Sequence, residues 1–274
     1  MSSTTAEKRA AFRQLHESGC FVMPNPWDVG SAILLQEIGF QAVASTSSGF
    51  AWTMGRPDYG LKRDEVLRHL SMLAEAIDIP LNADFENAFA DDPRDVERNV
   101  AMAVDTGVSG LSVEDSTPGA DAPLYPVSLA AERIAAARAA IDAKGGDVVL
   151  TGRAEGFLWG RKDLGETIDR LRAYAEAGAD CLYAPGLPGE AEIAEVVKAV
   201  APKPVNVLPA GLPVATLAGL GVRRISTGGA LARTGWAAVA AAAKQIAEEG
   251  RFDAFAQAAS GDMLDSLFDK RGNG

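Results

Sequence analysis

Three short apolar runs in this chain stop abruptly in charge. Ile79-Pro80-Leu81-Asn82-Ala83 gives way to Asp84 and Glu86, Gly110-Leu111-Ser112-Val113 to Glu114-Asp115, and Val148-Val149-Leu150-Thr151-Gly152 to Arg153-Ala154-Glu155. Residues two apart on a strand share a face, so Asp84 and Glu86 are expected to converge on one point. Three carboxylates, Asp84, Glu86 and Glu114, form an oxygen-only donor set that suits a hard divalent cation: Mg²⁺ first, with Mn²⁺ as the alternative. Arg153 could hold a substrate carboxylate through paired hydrogen bonds. The run Ser45-Thr46-Ser47-Ser48-Gly49 offers hydroxyls and backbone N–H groups to the same or a second anion.

Competing chemistries lack their residues. A Schiff-base enzyme needs a lysine at a strand end, but Lys203 precedes a strand and Lys162 sits far out in a loop. His16 and His69 fall inside helical patterns, where they are expected on helix surfaces, so a histidine-ligated zinc or a Ser-His or Cys-His triad finds no support. Cys20 and Cys181 lie in apolar strand-like runs and read as reduced, buried thiols.

A repeating unit positions these residues: apolar strand, polar loop, amphipathic helix, often a glycine, next strand. After a leading helix over Thr4–Ser18, the expected strands are Cys20–Pro24, Ala42–Ser45, Leu81–Asp84, Gly110–Glu114, Val148–Arg153, Cys181–Ala184, Pro204–Leu208 and Arg224–Thr227. The helices between and after them are Val29–Ile38, Arg63–Ile77, Pro93–Asp105, Leu129–Ala143, Leu164–Ala177, Glu190–Val200, Pro213–Leu220 and Ala230–Glu248. Asp28 and Asp92 read as N-caps, Pro93 as a first helical residue and Gly39 as a helix stop. The segment after strand two is expected as a Ser/Gly loop, and Ser116–Pro126 as a long loop. Eight alternations predict an α/β fold, a parallel (β/α)8 barrel of the TIM type, with a doubly wound open sheet as the alternative. In a barrel the active site forms at the C-terminal strand ends, where Asn25, Asp58, Asn206 and Gly228-Gly229 join the acids. The glycine pair could bind phosphate.

The bulk composition fits. The 274 residues are 47% hydrophobic and 23% charged, ordinary values for one globular domain spanning 1–274. A net charge of −11 argues against nucleic acid and anionic membranes as partners. No apolar run approaches the roughly 20 residues of a membrane span, and the N-terminus lacks the apolar core of a signal peptide, so a cytoplasmic protein is expected.

At this point the chain resembles the isocitrate lyase/phosphoenolpyruvate mutase superfamily along nearly its whole length. The matching pieces are Asn25-Pro26-Trp27-Asp28 with Ser31-Ala32, the stretch STSSGFAWTMGRPD ending at Asp58, ADFEN with Asp84 and Glu86, SVED with Glu114, GRAE with Arg153, and PVNVLP with Asn206. The resemblance implies a Mg²⁺-dependent barrel that makes or breaks C–C or P–C bonds of small 2-oxo acids next to a metal-stabilised enolate. It implies Asp84 as the main protein contact to the ion, with Glu86, Glu114 and Asp58 holding its waters. Ser45, Thr46, Ser47, Arg153 and Asn206 match substrate-contacting positions. It further implies a homo-oligomer, a dimer of dimers, whose C-terminal helices (251–270) pack on a neighbouring subunit.

The departures shape the expected reaction. The lyases of the family carry a Lys-Lys/Arg-Cys-Gly-His signature, absent here, and the mutase branch has Lys and Asn in the loop after the strand-four Glu, where this chain has STPGADAPLYPVS. The usual Gly-rich gating loop is replaced by Asn87-Ala88-Phe89-Ala90-Asp91-Asp92. The expected function is a Mg²⁺-dependent lyase or decarboxylase of a small 2-oxo (di)carboxylic acid, with Glu114, Arg153 and Asp58 as catalytic residues and Tyr125 or Ser116 as candidate proton donors. The alternatives are a P–C bond enzyme of the mutase or phosphonopyruvate hydrolase type, and a non-catalytic 2-oxo-acid-binding barrel.

Overall fold

A computed structural model describes residues 2–117 and 123–272; the middle of the long loop after strand four therefore lies outside the described residues. Eight strands run in parallel: β1 (Phe21–Met23), β2 (Val43–Ala44), β3 (Leu81–Asp84), β4 (Gly110–Glu114), β5 (Val149–Arg153), β6 (Cys181–Tyr183), β7 (Val205–Val207) and β8 (Arg224–Ser226). Their order is β1-β8-β7-β6-β5-β4-β3-β2. The remaining seam is bridged where the Ala44 N–H donates to Pro24 O at 3.0 Å and Asn25 Nδ2 to Ser45 O at 2.8 Å. The result is the (β/α)8 barrel expected from the alternation, and the open-sheet alternative falls away.

The helices around it are α1 (Thr5–Leu15), α2 (Val29–Ile38), α3 (Ser47–Thr53), α4 (Arg63–Ala76), α5 (Pro93–Asp105), α6 (Val127–Ala143), α7 (Leu164–Glu176), α8 (Glu190–Val200), α9 (Val214–Gly219), α10 (Ala230–Glu249) and α11 (Gly261–Gly272), with a 3₁₀ turn at Asp253–Gln257 before the last. The caps read from the sequence are present. Asp28 accepts from the Ser31 N–H at 2.7 Å, Asp92 from Arg94 N at 2.9 Å, and Gly39 closes α2 in the left-handed region at φ 106°. Such a side-chain cap is worth about 1 kcal/mol.

One element differs in kind from its expectation. The Ser/Gly stretch after β2 is a helix, α3, because Thr46 accepts from the Gly49 N–H at 3.2 Å and caps it. Gly49 is needed there, since a Cβ would come within 2.5 Å of Thr46 Cγ2.

Strand alternation sorts the barrel. Leu81, Ala83, Leu111, Val113 and Leu150 face the helices and belong to the main apolar core. Asn82, Asp84, Ser112, Glu114, Thr151 and Arg153 occupy the alternate positions, which face the barrel interior. Below them Phe21, Met23, Ala42, Ala44, Val149 and Cys181 pack with Phe12 of α1 into a second apolar cluster. The α1 helix is tied beneath it: Lys8 Nζ donates to Ala74 O and Ile77 O at 2.7 and 3.0 Å, and Arg9 Nε to Val108 O at 3.0 Å. Both cysteines are free, Cys181 buried and Cys20 half-buried.

The histidines are not the surface residues their helical setting suggested. His69 is buried and stacked on Phe50 with ring centroids 3.7 Å apart. His16 packs edge-on between Phe12 and Phe21. Helical periodicity names a face but not what covers it. At the C-terminus, α11 lies against α2 of its own chain, with Leu267 buried and Phe268 beside Gly30. No helix among the described residues is long and apolar enough to cross a membrane.

Candidate active site

The inward residues at the C-terminal strand ends surround a cavity of about 330 Å³. Ser45, Thr46, Ser47, Asp58, Asp84 and Arg153 line it, with Asn206 deeper. Register puts Arg153 directly beside Glu114, as partners across β4 and β5. Arg153 Nη1 stands 3.1 Å from Asp84 Oδ1 and 3.1 Å from Glu114 Oε2, and its Nε bonds Glu155 Oε1. Burial alone would lower the arginine's pKa, but Glu155, Glu114 and Asp84 together hold it well above the ordinary value. With Nε and Nη1 on protein carboxylates, only Nη2 lacks a hydrogen-bond partner among the described residues. It can offer a substrate its own two N–H groups, but not the expected fork of two guanidinium nitrogens.

Asp84 is held from two sides. Its Oδ2 accepts from Ser47 N at 2.9 Å and Ser47 Oγ at 2.8 Å, while its own N–H donates to Ser45 Oγ at 2.9 Å. The Ser47 N–H, one of the donors expected to grip an anion, thus belongs to Asp84. Asp58 borders the same space, and burial followed by the Asp84 charge raises its pKa. One glycine of the pair after β8 is committed too: Gly228 N donates to Asn25 Oδ1 at 2.9 Å, while both glycines border the cavity. Asn206 Oδ1 accepts from Arg224 Nε at 2.9 Å, and its Nδ2 donates to Ser226 Oγ at 2.9 Å.

Glu86 does not share a wall with Asp84. The strand ends at Asp84, and Glu86 has φ 48°, so the two-residue alternation no longer applies. Its carboxyl borders a neighbouring cavity of about 740 Å³, together with Tyr59, Lys62 and Trp159. There Glu86 Oε1 is buried with no hydrogen-bond partner. Burial, then Asp84, Glu114 and Asp58, push its pKa up to about 9. Glu114 connects the two spaces: Oε2 faces Arg153, and Oε1 accepts from Tyr59 Oη at 2.7 Å and from Ser116 Oγ.

The two proton-donor candidates separate in space. Ser116 is against Glu114, but the Tyr125 hydroxyl bonds Asp91, and its ring lies under Arg133 at 4.0 Å. The tyrosine that meets Glu114 is Tyr59, which the sequence reading missed, as it did Tyr183, whose ring borders the first cavity under Arg153. The residue after Asp58 in a loop carries no pattern that aims it inward. Asp115 also leaves the site: facing outward, it accepts from Arg170 Nη1 at 3.1 Å, Tyr174 Oη at 2.5 Å and Glu155 N at 2.8 Å.

Among the described residues no three His, Cys, Asp or Glu side chains stand together as direct ligands of a metal ion. The donor set still fits one held by a single carboxylate and water, the habit of magnesium. Every candidate atom is oxygen, the negative groups outnumber Arg153, and the Glu86 oxygen lacks any partner.

The family model for phosphoenolpyruvate phosphomutase matches residues 12–247. A proposed lyase/mutase from Burkholderia cenocepacia J2315 is 44% identical and superposes with a TM-score of 0.93, covering 96% of each chain. A phosphonopyruvate hydrolase, solved with oxalate and Mg²⁺, is 26% identical with a TM-score of 0.86 over 99% of this chain and 96% of its own. The 2-methylisocitrate lyase of Escherichia coli K12 is 30% identical over 158 residues, 56% of this chain and 53% of that protein. Barrel, strand-end acids and family match agree: the chain belongs to the phosphoenolpyruvate mutase family, within the isocitrate lyase/phosphoenolpyruvate mutase superfamily of enzymes.

Proposed function

We propose that this protein is a divalent-cation-dependent lyase or decarboxylase of small 2-oxo (di)carboxylic acids. The observation that carries the reading is the placement of Arg153 between Asp84 and Glu114 at the mouth of the barrel, with one nitrogen left for substrate. Asp84 would hold the Mg²⁺ or Mn²⁺ ion, supported by Asp58, Glu86 and Glu114. When bound, the ion supplies positive charge beside the 2-oxo oxygen, where negative charge grows as a neighbouring bond breaks.

The chain's own groups do the rest. Arg153 Nη2 takes one oxygen of the substrate carboxylate. Ser45 Oγ accepts from the Asp84 N–H and so keeps its proton for another. Cleavage leaves an electron pair on the carbon next to the 2-oxo group, and that carbon must receive a proton. Tyr59, whose phenol is raised above its ordinary pKa by burial and the adjacent Glu114, holds a proton at that edge. Ser116 and Glu114 orient it.

The alternative, P–C bond cleavage, is favoured by one feature: Arg233 also borders the cavity and could meet a phosphonate. A screen of 2-oxo acids and phosphonopyruvate with Mg²⁺, following pyruvate, CO₂ and inorganic phosphate separately, distinguishes the two. The lyase reading requires ion-dependent carbon–carbon cleavage that disappears in Asp84→Ala; release of phosphate alone would replace it with the alternative. Loss of cleavage should accompany loss of the thermal stabilisation that Mg²⁺ gives the wild type. Absence of any turnover, with binding retained, would leave a non-catalytic binding barrel.

We also propose assembly into a homo-oligomer. Trp236 and Val239 on α10, with Phe252 and Phe255 beyond it, are 49%, 61%, 58% and 57% exposed, large apolar side chains of the kind that subunit contacts cover. Sedimentation of the purified protein tests this.

A further inference from the structure

The floor of the first cavity holds a charge that the reading above does not use. Arg224 opens β8, is 1% exposed, and borders the cavity from below. Its Nε donates to Asn206 Oδ1 at 2.9 Å and its Nη2 to Thr151 Oγ1 at 2.9 Å. Nη1 reaches His16 Nε2 at 3.3 Å and Asn82 Oδ1 at 3.5 Å. All of these acceptors are neutral. Burial, and then the charge of Arg224, push the His16 pKa down to about 3. Its Nδ1–H donates to Phe12 O at 2.7 Å, which leaves Nε2 as an acceptor. Asp84, Glu114 and Glu155 pair with Arg153, and Asp115 pairs with Arg170. Among the described residues no carboxylate forms an ion pair with Arg224.

A buried cation without a counter-ion is unfavourable, and a guanidinium has five N–H groups, one more than the acceptors found here. Asn82, which Arg224 touches, lies two residues below Asp84 on β3, a rise of roughly 6–7 Å. That is the reach of a four- or five-carbon chain. The cavity wall over this depth includes the small residues Ala44, Ser112 and Ser226, which leave the way down open.

We propose that Arg224 is a specificity determinant, receiving a second carboxylate at the far end of a four- or five-carbon 2-oxo dicarboxylic acid. This rests on the 2-oxo-acid reading above and narrows its substrate class. The test is calorimetric binding, with Mg²⁺ present, of three probes: oxalate, which is too short to reach the floor, 2-oxopentanoate, and 2-oxoglutarate. The last two have five carbons and differ in the second carboxylate. Wild type should bind 2-oxoglutarate at least ~10-fold more tightly than 2-oxopentanoate, the scale of one charge-assisted contact. Arg224→Met should erase that preference while holding oxalate within about two-fold. Equal wild-type affinity for the two five-carbon acids overturns the inference without any variant. So does a preference that survives in Arg224→Met, or an equal loss of oxalate binding there, which would assign Arg224 to the scaffold. Oxalate failing to bind the wild type at all would overturn the 2-oxo-acid reading and this inference with it.

Discussion

Tyr59 donates its hydroxyl proton to Glu114 at 2.7 Å, although the two are 55 residues apart in the chain. Tyr59 does so from a left-handed backbone at φ 59°, a conformation that costs a non-glycine residue about 1–2 kcal/mol. The bond joins the loop before α4 to the end of β4, and it links the two cavities at the barrel mouth. Asp84 and Arg153 border one and Glu86 the other, with Glu114 in contact with both sides.

Replacing Tyr59 by Phe removes the proton and the bonds to Glu114 and Ser116 while keeping the ring. In the proposed reaction kcat should fall by about 100-fold, within the usual range for a positioned acid, while KM changes by less than about three-fold. Steady-state kinetics on the substrate found in the screen check this. A raised KM with kcat intact would mean that Tyr59 only helps to bind.

Arg153 is the sole cation in contact with Asp84, Glu114 and Glu155 among the described residues. Its loss would leave buried negative charge uncompensated. Arg153→Met is therefore expected to destabilise the fold by ~3–5 kcal/mol, read from urea unfolding at neutral pH. Saturating Mg²⁺ should recover part of that loss. A variant as stable as the wild type would show that the three carboxylates are protonated or solvated around it.

The 86–92 loop is clamped rather than free. The buried Arg133 of α6 bonds Ala90 O, Asp91 O at 2.9 Å and Asn87 O, and Asn99 Nδ2 of α5 bonds Ala88 O at 2.8 Å. These contacts hold Glu86, Ala88 and Phe89 at φ of 48°, 58° and 55°. Arg133→Met would leave three part-buried carbonyls without this partner, at a cost below the roughly 1–3 kcal/mol of a fully buried unsatisfied group for each. Amide hydrogen exchange should accelerate first across 86–92. Unchanged protection there would show that the loop holds its own shape.

His69 makes stability depend on acidity. Its pKa is lowered from 6.5 to about 4, chiefly by burial, with Asp28 pulling the other way. Between those values the unfolded chain binds a proton that the folded chain refuses. The stability is complete above the unfolded value and is lost as pH falls towards the folded one. His69 should contribute ~3 kcal/mol of loss between about pH 6.5 and 4. His69→Phe, which keeps a ring against Phe50, should flatten that part of the unfolding free-energy curve. An identical slope in the variant would assign the acid sensitivity to other groups, His16 among them.

What the sequence determined was periodic or local. Eight strand–helix alternations specified the barrel, because a run of βα units can bury its apolar faces in few ways. Caps such as Asp28 and Asp92 were legible because a cap acts on N–H groups within three residues. Asp84, Glu114 and Arg153 were legible as inward residues because they lie within strands, where side chains alternate. Only the tertiary structure could decide what the alternation stops short of. Glu86 turns into the second cavity once its backbone leaves the strand, Tyr59 rather than Tyr125 meets Glu114, and Arg224 reaches across the barrel to Thr151 with His16 below. Those contacts join residues 55 to 208 positions apart, and no local pattern encodes a partner at that distance; barrel closure brings them together.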